Sequence, residues 1–321
     1  MLADSHKQKI TIAELPRLYA KLTKLRLSLM VVITTAVGFI MASLGNIDWA
    51  LLLWTILGTM ACALSANALN QVFETRRDKL MARTQNRPTP SGRMSRAHAF
   101  VVAVLLGYGG LLLLAMAVNL YAAGLALLTL LLYILAYTPL KPISTLNTIV
   151  GAVVGGIPPM IGWVAVREQI EIQAWILGAL LFVWQLPHFL SLAWLYRDQY
   201  ADAGFQMLPV VRGGPNLTVE VTLLTTILLI PLGLSASLSG MTGIFYAICS
   251  IVLGIAFGWY ALRFFIQRDR QTARRTFLFS LLYLPVLLIV MIANRTEVTD
   301  QDLITVDLNP DASIQLNNSN E

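Results

Sequence analysis

The sequence predicts an all-α membrane protein built as one bundle of nine transmembrane helices. Three observations lead there. Of its 321 residues, 57% are hydrophobic and 12% charged, with a mean hydropathy of +0.69; a soluble chain carries roughly 25% charged residues. The apolar residues fall in blocks of about 20, the length that crosses a ~30 Å hydrocarbon core. Lysine and arginine collect in alternate connections between those blocks. Backbone groups in lipid must be paired internally, which leaves helices or a closed barrel. A barrel would instead show segments of about ten residues with alternating polarity. Although the length would suit two soluble domains, no long polar stretch divides the chain.

Taken in order, residues 1–27 form a basic N-terminal segment. Within it, 12–26 carries Leu15, Leu18, Tyr19, Leu22 and Leu25 among cations, and reads either as an amphipathic helix on the membrane surface or as a solvated tail. It does not resemble a cleaved signal peptide, because the first apolar run is long enough to span. The spans follow at 28–45, 50–73, 97–117, 120–138, 146–166, 172–195, 217–238, 242–263 and 275–293, so 28–293 forms the membrane unit. With the N-terminus inside, the inner segments hold Lys7, Lys9, Arg17, Lys21, Lys24 and Arg26, then Arg76, Arg77, Lys79, Arg83, Arg87, Arg93 and Arg96, then Lys141, then Arg197 and Arg212, then Arg263, Arg268, Arg270, Arg274 and Arg275. Of the 23 lysines and arginines only Arg167 and Arg295 fall outside, the asymmetry that the positive-inside rule requires. One helix more or fewer would reverse it for the later loops. The net charge of +6 is thus an orientation signal, and its spread over separate loops argues against nucleic acid as a partner. Residues 294–321 form an acidic tail with little to bury, expected to be disordered on the outer side. Cys62 and Cys249 lie inside spans without a CxxC partner and read as small buried apolar residues.

Chemistry concentrates where the second span runs into its basic loop. Asn70, Glu74 and Asp78 recur every four residues, so a helix sets three oxygen-bearing side chains on one stripe. Carboxylates at a bilayer edge are costly and normally face a cavity with a partner. A hard divalent cation fits, because Mg²⁺ takes oxygen ligands and shares them with substrate phosphates. Arg83, Arg87 and Lys141 supply charge suited to the phosphates themselves. The competing reading is plain surface charge at a helix end.

A second acidic group, Asp198 and Asp202, follows the sixth span as the first follows the second. Both spans run outward to inward, so both groups emerge on the same inner face and are expected to hold Mg²⁺ around a diphosphate together. Within the sixth span, Trp184, Gln185 and His188 interrupt an apolar run; His188 lies roughly 15 Å deeper than Asp198 along a helix axis. Such a histidine ligates haem iron, hydrogen-bonds a substrate, or is simply a buried residue bonded to a neighbouring helix. The fifth span carries Gly151, Gly155, Gly156, Pro158, Pro159, Gly162 and Trp163. Its prolines predict a bend that widens a cavity, and its glycines predict close packing.

These residues resemble a known family. The Asn-x3-Glu-x3-Asp ladder followed by Arg83-Thr84-x-x-Arg87-Pro88 is similar to the first signature of the UbiA-type intramembrane prenyltransferases. Pro90-Ser91-Gly92-Arg93, Tyr137-Thr138, Pro158-Pro159-x-Ile161-Gly162-Trp163, Trp184-Gln185-x-Pro187-His188-Phe189 and Tyr200-x-x-Ala203-Gly204 leading to Met207-Leu208-Pro209 resemble one branch of it, the protohaem IX farnesyltransferases. The Pro-Pro and Trp-Gln stretches are the most specific. The resemblance runs from about Tyr19 to the ninth span and implies the UbiA-type fold with its active site near the cytoplasmic face. It implies farnesyl transfer from farnesyl diphosphate to the 2-vinyl group of haem B, with water addition, to give haem O and diphosphate. It also implies Mg²⁺ on Asn70, Glu74, Asp78, Asp198 and Asp202, and haem A synthase or terminal oxidase assembly as protein partners; the basic inner face and an N-terminus unlike an Arg- and Ser-rich presequence suggest a bacterial inner membrane setting.

Two departures stand out. The family commonly has Lys-Pro-Arg before the first span, where this chain has Leu25 between Lys24 and Arg26. It usually has a Lys-Arg pair after the Tyr-Thr element, where Lys141 here is followed by Pro142, removing one cation from the expected phosphate or propionate contacts. Two other readings are an aromatic (4-hydroxybenzoate-type) polyprenyltransferase of quinone biosynthesis, against which the haem-branch stretches argue, and a non-catalytic haem-binding or transport protein, which leaves the acidic ladder without a purpose.

Overall fold

A computed structural model describes residues 14–43 and 45–296; the first thirteen residues and most of the acidic tail lie outside the described residues. In chain order the elements are α1 (Leu15–Leu22), α2 (Leu25–Ala42), α3 (Trp49–Asp78), α4 (Arg96–Ala117), α5 (Leu120–Leu131), a π-helical turn (Leu132–Tyr137) that runs into α6 (Thr138–Leu140), α7 (Asn147–Arg167), α8 (Ile172–Leu195), α9 (Arg197–Asp202), α10 (Gly214–Leu238), α11 (Ile244–Gln267) and α12 (Arg270–Ala293). Counting Leu120–Leu140 as one, nine helices among the described residues are long and apolar enough to cross a membrane. Among these residues there is no strand, only an isolated antiparallel bridge between Thr242 and Arg295.

Several helix starts follow directly from the sequence. Asp48 accepts the N–H groups of Ala50 and Leu51, Ser95 that of His98, Asn119 that of Ala122 and Asp269 that of Thr272, the bonds that cap a helix N-terminus. Buried threonines of α10 close their own needs inside the helix. Thr218, Thr222 and Thr226 each donate to the carbonyl four residues back, so no hydroxyl faces lipid unpaired. Large aliphatic side chains such as Met30, Leu105, Ile248, Val252, Ile255 and Ile289 are exposed, the outer surface that lipid requires.

The helices close into a ring. α3 lies along α4, α2 along α7, α7 along α8, α8 along α10 and α12, and α11 along α10 and α12, while α12 returns to touch α2. α7 and α8 are the inner members: 67% of their membrane windows is buried, against 28% for α4 and α10. The glycines of α7 make this possible. A Cβ on Gly162 would run into the Thr35 carbonyl of α2, and one on Gly38 of α2 into the Pro159 carbonyl, so the two backbones touch at this crossing. Gly156 abuts the Gly178 carbonyl of α8, and Gly151 the Tyr137 ring. α7 passes through Pro158 and Pro159 as one continuous helix. The close packing expected of its glycines is what this stretch achieves.

Helix α1 is not a solvated tail. Its Leu18 and Leu22 pack on Ala68, Leu69 and Val72 of α3, and the Gln71 side chain donates to both the Lys21 and Leu22 carbonyls at 2.7 Å, capping the helix end. The first span begins and ends about one turn earlier than expected. The second continues to Asp78, because its last two turns are buried by the loop that follows.

Candidate active site

The ladder forms as expected, on the last turns of α3. Asn70, Glu74 and Asp78 are 1%, 6% and 2% exposed, buried well beyond what surface charge at a helix end would show. Each is met by a cation from a different segment. Lys24 Nζ donates to Asn70 Oδ1 at 3.0 Å, Lys141 Nζ to Glu74 Oε1 at 2.7 Å, and an Arg87 guanidinium N–H to Asp78 Oδ2 at 2.7 Å. Three cations thus shadow three oxygen ligands at one end of the bundle.

Local sequence explains each approach. In the α3–α4 loop the Thr84 hydroxyl donates to the Asp78 carbonyl at 2.8 Å, and the Thr89 hydroxyl to the Gln71 carbonyl at 3.2 Å. These bonds fold the loop back over α3 and return Arg87 to Asp78. On the other side, the π-helical turn ends in Thr138, whose N–H reaches the Tyr133 carbonyl five residues back. Pro139 follows, and its missing N–H removes one bond from a regular helix turn; π-bulges of this kind often accompany sites. Thr138 Oγ1 accepts from Asn70 at 3.2 Å, and one turn later Lys141 reaches Glu74 with its ammonium 4.4 Å from the Tyr137 ring centre. Burial alone would lower the Lys141 ammonium, but Glu74, with Tyr137 and Tyr133, outweighs it and holds the group above its ordinary value.

Lys24 was not among the residues expected here. It lies between α1 and α2 with φ 47° and ψ 52°, a left-handed conformation that a lysine adopts only at a cost, and α1 docked on α3 is what carries it to Asn70. Burial, together with the nearby Arg87 and Lys141 charges, pulls its ammonium down to about 7. The unusual Lys-Leu-Arg spelling of this chain therefore still delivers a cation to the ladder.

The second acidic group stands apart. Asp198 and Asp202 lie on α9 and are exposed; the Asp198 side chain is 91% accessible and lies 3.7 Å from Arg197. The segments do meet: the Arg83 guanidinium donates to the Tyr200 hydroxyl at 3.1 Å and covers the Tyr196 ring at 5.0 Å, while Met81 packs with Ala193, Ala203, Phe205 and Met207. Both acidic stretches are therefore at one end of the bundle. Arg83, however, faces tyrosines, and the α9 carboxylates make no contact with the ladder. Among the described residues no three acidic, histidine or cysteine side chains gather as a group.

The Trp184-Gln185-His188 constellation is split between two interfaces. Gln185 lies over Gly155 of α7 and donates to the Leu181 carbonyl at 3.1 Å. Trp184 and His188 turn to α12, where the indole N–H donates to the Ser280 carbonyl at 2.9 Å and His188 Nδ1 meets Ser280 Oγ at 2.8 Å. Ser280 Oγ also donates to the Phe277 carbonyl at 2.6 Å. A carbonyl cannot donate, so the hydroxyl proton belongs to Phe277 and the imidazole must carry its own proton on Nδ1. The ring is further fixed by Trp184, stacked at 5.1 Å, and Phe277 at 4.9 Å. In its neutral form an imidazole so bonded presents Nε2 as a lone pair, and that atom is not among the sealed, unpartnered atoms of the core. Ser280 carries no motif of its own in the sequence; only its position opposite α8 reveals it.

The donor set suits magnesium. One amide and two carboxylate oxygens, all hard and buried, without a third acid to complete a cage, fit an ion that takes one or two carboxylates and shares substrate phosphates. Lys24, Arg87 and Lys141 around them fit the phosphates.

Among the described residues, nine membrane-length helices thus carry at one end a buried ladder of oxygen side chains, each met by a cation. The model of the UbiA prenyltransferase family matches residues 31–283. The chain belongs to that family. It is 42% identical over 287 residues to the mitochondrial protoheme IX farnesyltransferase of Arabidopsis thaliana, covering 89% of this chain and 66% of that protein, so it spans just under two thirds of that relative. It is 38% identical to the protoheme IX farnesyltransferase of Solibacter usitatus, covering 86% of this chain and 98% of the relative. Among solved structures it resembles a digeranylgeranylglyceryl phosphate synthase with a TM-score of 0.74 at 19% identity, covering 87% and 97% of the two chains. It also resembles a UbiA homolog from Archaeoglobus fulgidus bound to DMAPP and Mg²⁺, with a TM-score of 0.64 at 16% identity, covering 86% and 99%. These likenesses establish the fold.

Proposed function

We propose that this chain transfers the farnesyl group of farnesyl diphosphate to the 2-vinyl group of haem B, with addition of water, giving haem O and diphosphate. The ladder with its three cations carries the diphosphate half of this reading; the protoheme IX farnesyltransferase names of its relatives support the haem half. Lys24, Arg87 and Lys141 move from the ladder oxygens onto phosphate oxygens when the donor binds. Asn70, Glu74 and Asp78 would hold Mg²⁺, with Asp198 and Asp202 as the additional carboxylates of the same inner end. When bound, that ion neutralises the charge of the departing diphosphate. Tyr133 and Tyr137 offer aromatic faces beside Lys141 for the allylic cation. Burial of the ladder keeps water away until the vinyl carbon has reacted, since earlier capture would give farnesol. His188 Nε2 receives the haem, with Trp184 stacked beside the imidazole.

The helical bundle together with α1, which brings Lys24 to the ladder, carries this activity in a bacterial cytoplasmic membrane, with the basic loops and the N-terminus inside and the C-terminus outside. Its product goes to haem A synthase or to terminal oxidase assembly. The test is direct: membranes containing the chain, given haem B, farnesyl diphosphate and Mg²⁺, should form haem O. A prenylated product from parallel membranes given 4-hydroxybenzoate in place of haem B, with no haem O in the first set, would move the chain to quinone biosynthesis, and no product from folded protein would sink the assignment.

His188→Ala should weaken haem binding by about tenfold or more while leaving farnesyl diphosphate affinity within about twofold, judged against the effect of removing groups that orient ligands. Ser280→Ala should move haem affinity the same way and Ser280→Thr should restore it, because only the hydroxyl pins Nδ1. An unchanged haem absorption spectrum in His188→Ala would remove histidine from the haem site. A changed spectrum there with none in Ser280→Ala would remove only the serine.

A further inference from the structure

The α11–α12 junction lies at the same end of the bundle as the ladder but in the other half of the ring. Between the two helices is a cavity of about 250 Å³ lined by Trp259, Tyr260, Arg263, Thr272 and Arg275. Arg263 holds its guanidinium 5.7 Å from the Trp259 ring centre. Neither Arg263 nor Arg275 is paired with a carboxylate among the described residues. Residues 263–275 contain five arginines and one acid, Asp269. That acid is already engaged: its Oδ1 accepts the Thr272 N–H at 2.7 Å and the Thr272 hydroxyl at 2.8 Å. Those bonds, with Arg275 nearby, hold its carboxyl below the usual range. Arg268 is likewise engaged, donating to Asn216 Oδ1 at 2.7 Å. Of the five arginines, Arg263 and Arg275 are the two that line the cavity, and they bring their charge to it without a carboxylate ion pair.

The flanks of this cavity are apolar and face lipid. Val252, Ile255 and Trp259 on α11 and Leu278 and Leu282 on α12 are all at least half exposed. A ligand held here has an anionic head for the arginines and a hydrocarbon body for the helix faces. We propose that the α11–α12 cleft binds the headgroup phosphate of an anionic glycerophospholipid, with its acyl chains along α11 and α12. Free phosphate would satisfy the arginines but would leave the apolar flanks unused. A zwitterionic headgroup would bring a cation against two guanidinium groups. Basic pockets between helices at a cytoplasmic surface are suited to such headgroups, and aromatic rings such as Trp259 and Tyr260 lie well at that depth.

The test uses the full chain, purified in mixed micelles with equal phosphatidylglycerol and phosphatidylcholine, and native mass spectrometry of retained lipid. Phosphatidylglycerol should be retained preferentially. Arg263→Gln with Arg275→Gln should lower that retention about thirtyfold, equivalent to ~2 kcal/mol for two arginines. The pair Arg270→Gln with Arg274→Gln, which removes the same charge outside the cavity, should leave it nearly intact. Arg263→Lys with Arg275→Lys, which disturbs folding least, should retain an intermediate amount. Equal losses in the two glutamine pairs would mean general surface charge and overturn the proposal, as would undiminished retention in the cavity pair. Displacement of the lipid by millimolar inorganic pyrophosphate would overturn it in favour of a free phosphate site.

Discussion

Asp78→Ala is expected to reduce haem O formation by about a thousandfold, the scale seen when a preorganised group that stabilises developing charge is removed, while the chain still inserts and runs as a folded species. Asp78 is 2% exposed and is the lowest rung of the ladder. Its carboxylate takes Arg87 at 2.7 Å, and its carbonyl takes the Thr84 hydroxyl. Substitution removes only the first of these, so the loop keeps its closure. Arg87 is left without its partner, but its side chain is 22% exposed and can reach water, which limits the cost in stability. Glu74 would be a poorer choice, because its loss strands the buried Lys141. Asp78→Asn, which keeps shape and loses charge, should be nearly as inactive. Haem O measured by chromatography in membranes with matched protein levels decides the matter. Near-normal turnover in either variant would show that the ladder does not serve the chemistry.

The largest structural effect is expected at the crossing of α2 and α7. Gly162→Ala places a methyl group against the Thr35 carbonyl and close to the Phe39 amide of α2. Both obstacles are backbone, so neither can swing aside, and the helices must separate. The cost should be about 3 kcal/mol or more, at the upper end for overpacking. Gly124→Ala has nothing within 4 Å of the new methyl group and should be neutral or stabilising, since alanine favours helix. Thermal unfolding followed by size-exclusion monodispersity separates the two. Equal behaviour would mean that the crossing is looser than the backbones here indicate. Separation at Gly162 also shifts α7 against α8, so loss of activity should accompany loss of stability.

Much of the membrane architecture was legible in the chain because lipid leaves little choice. Twenty-residue apolar blocks must be helices, and the alternation of lysine and arginine allows one count. Spacing likewise put Asn70, Glu74 and Asp78 on a common stripe, since a four-residue step is a property of any helix. Boundaries were less legible where burial came from elsewhere: the end of α3 is polar in sequence and is covered only by the returning α3–α4 loop. In the fifth span the glycines announced close packing, and α7 is indeed held by neighbours that its glycines admit to backbone contact.

Pairing across the bundle was out of reach of the chain alone. Arg87 and Lys141 were recognisable as cations, but their assignment to Asp78 and Glu74 depends on a loop closed by Thr84 and on a π-helical turn before Pro139. Lys24 required α1 to dock on α3. Arg83 turned to Tyr196 and Tyr200, and Trp184, Gln185 and His188, within five residues of sequence, were divided between α7 and α12. What the sequence determined by itself was the set of helices and the oxygen ladder, because these follow from hydrophobic length and helical period. The choice of partner for each charge, and the serine that orients His188, belonged to tertiary structure, because they depend on contacts between segments as far apart as Lys24 and Asn70 or His188 and Ser280, which no local pattern encodes.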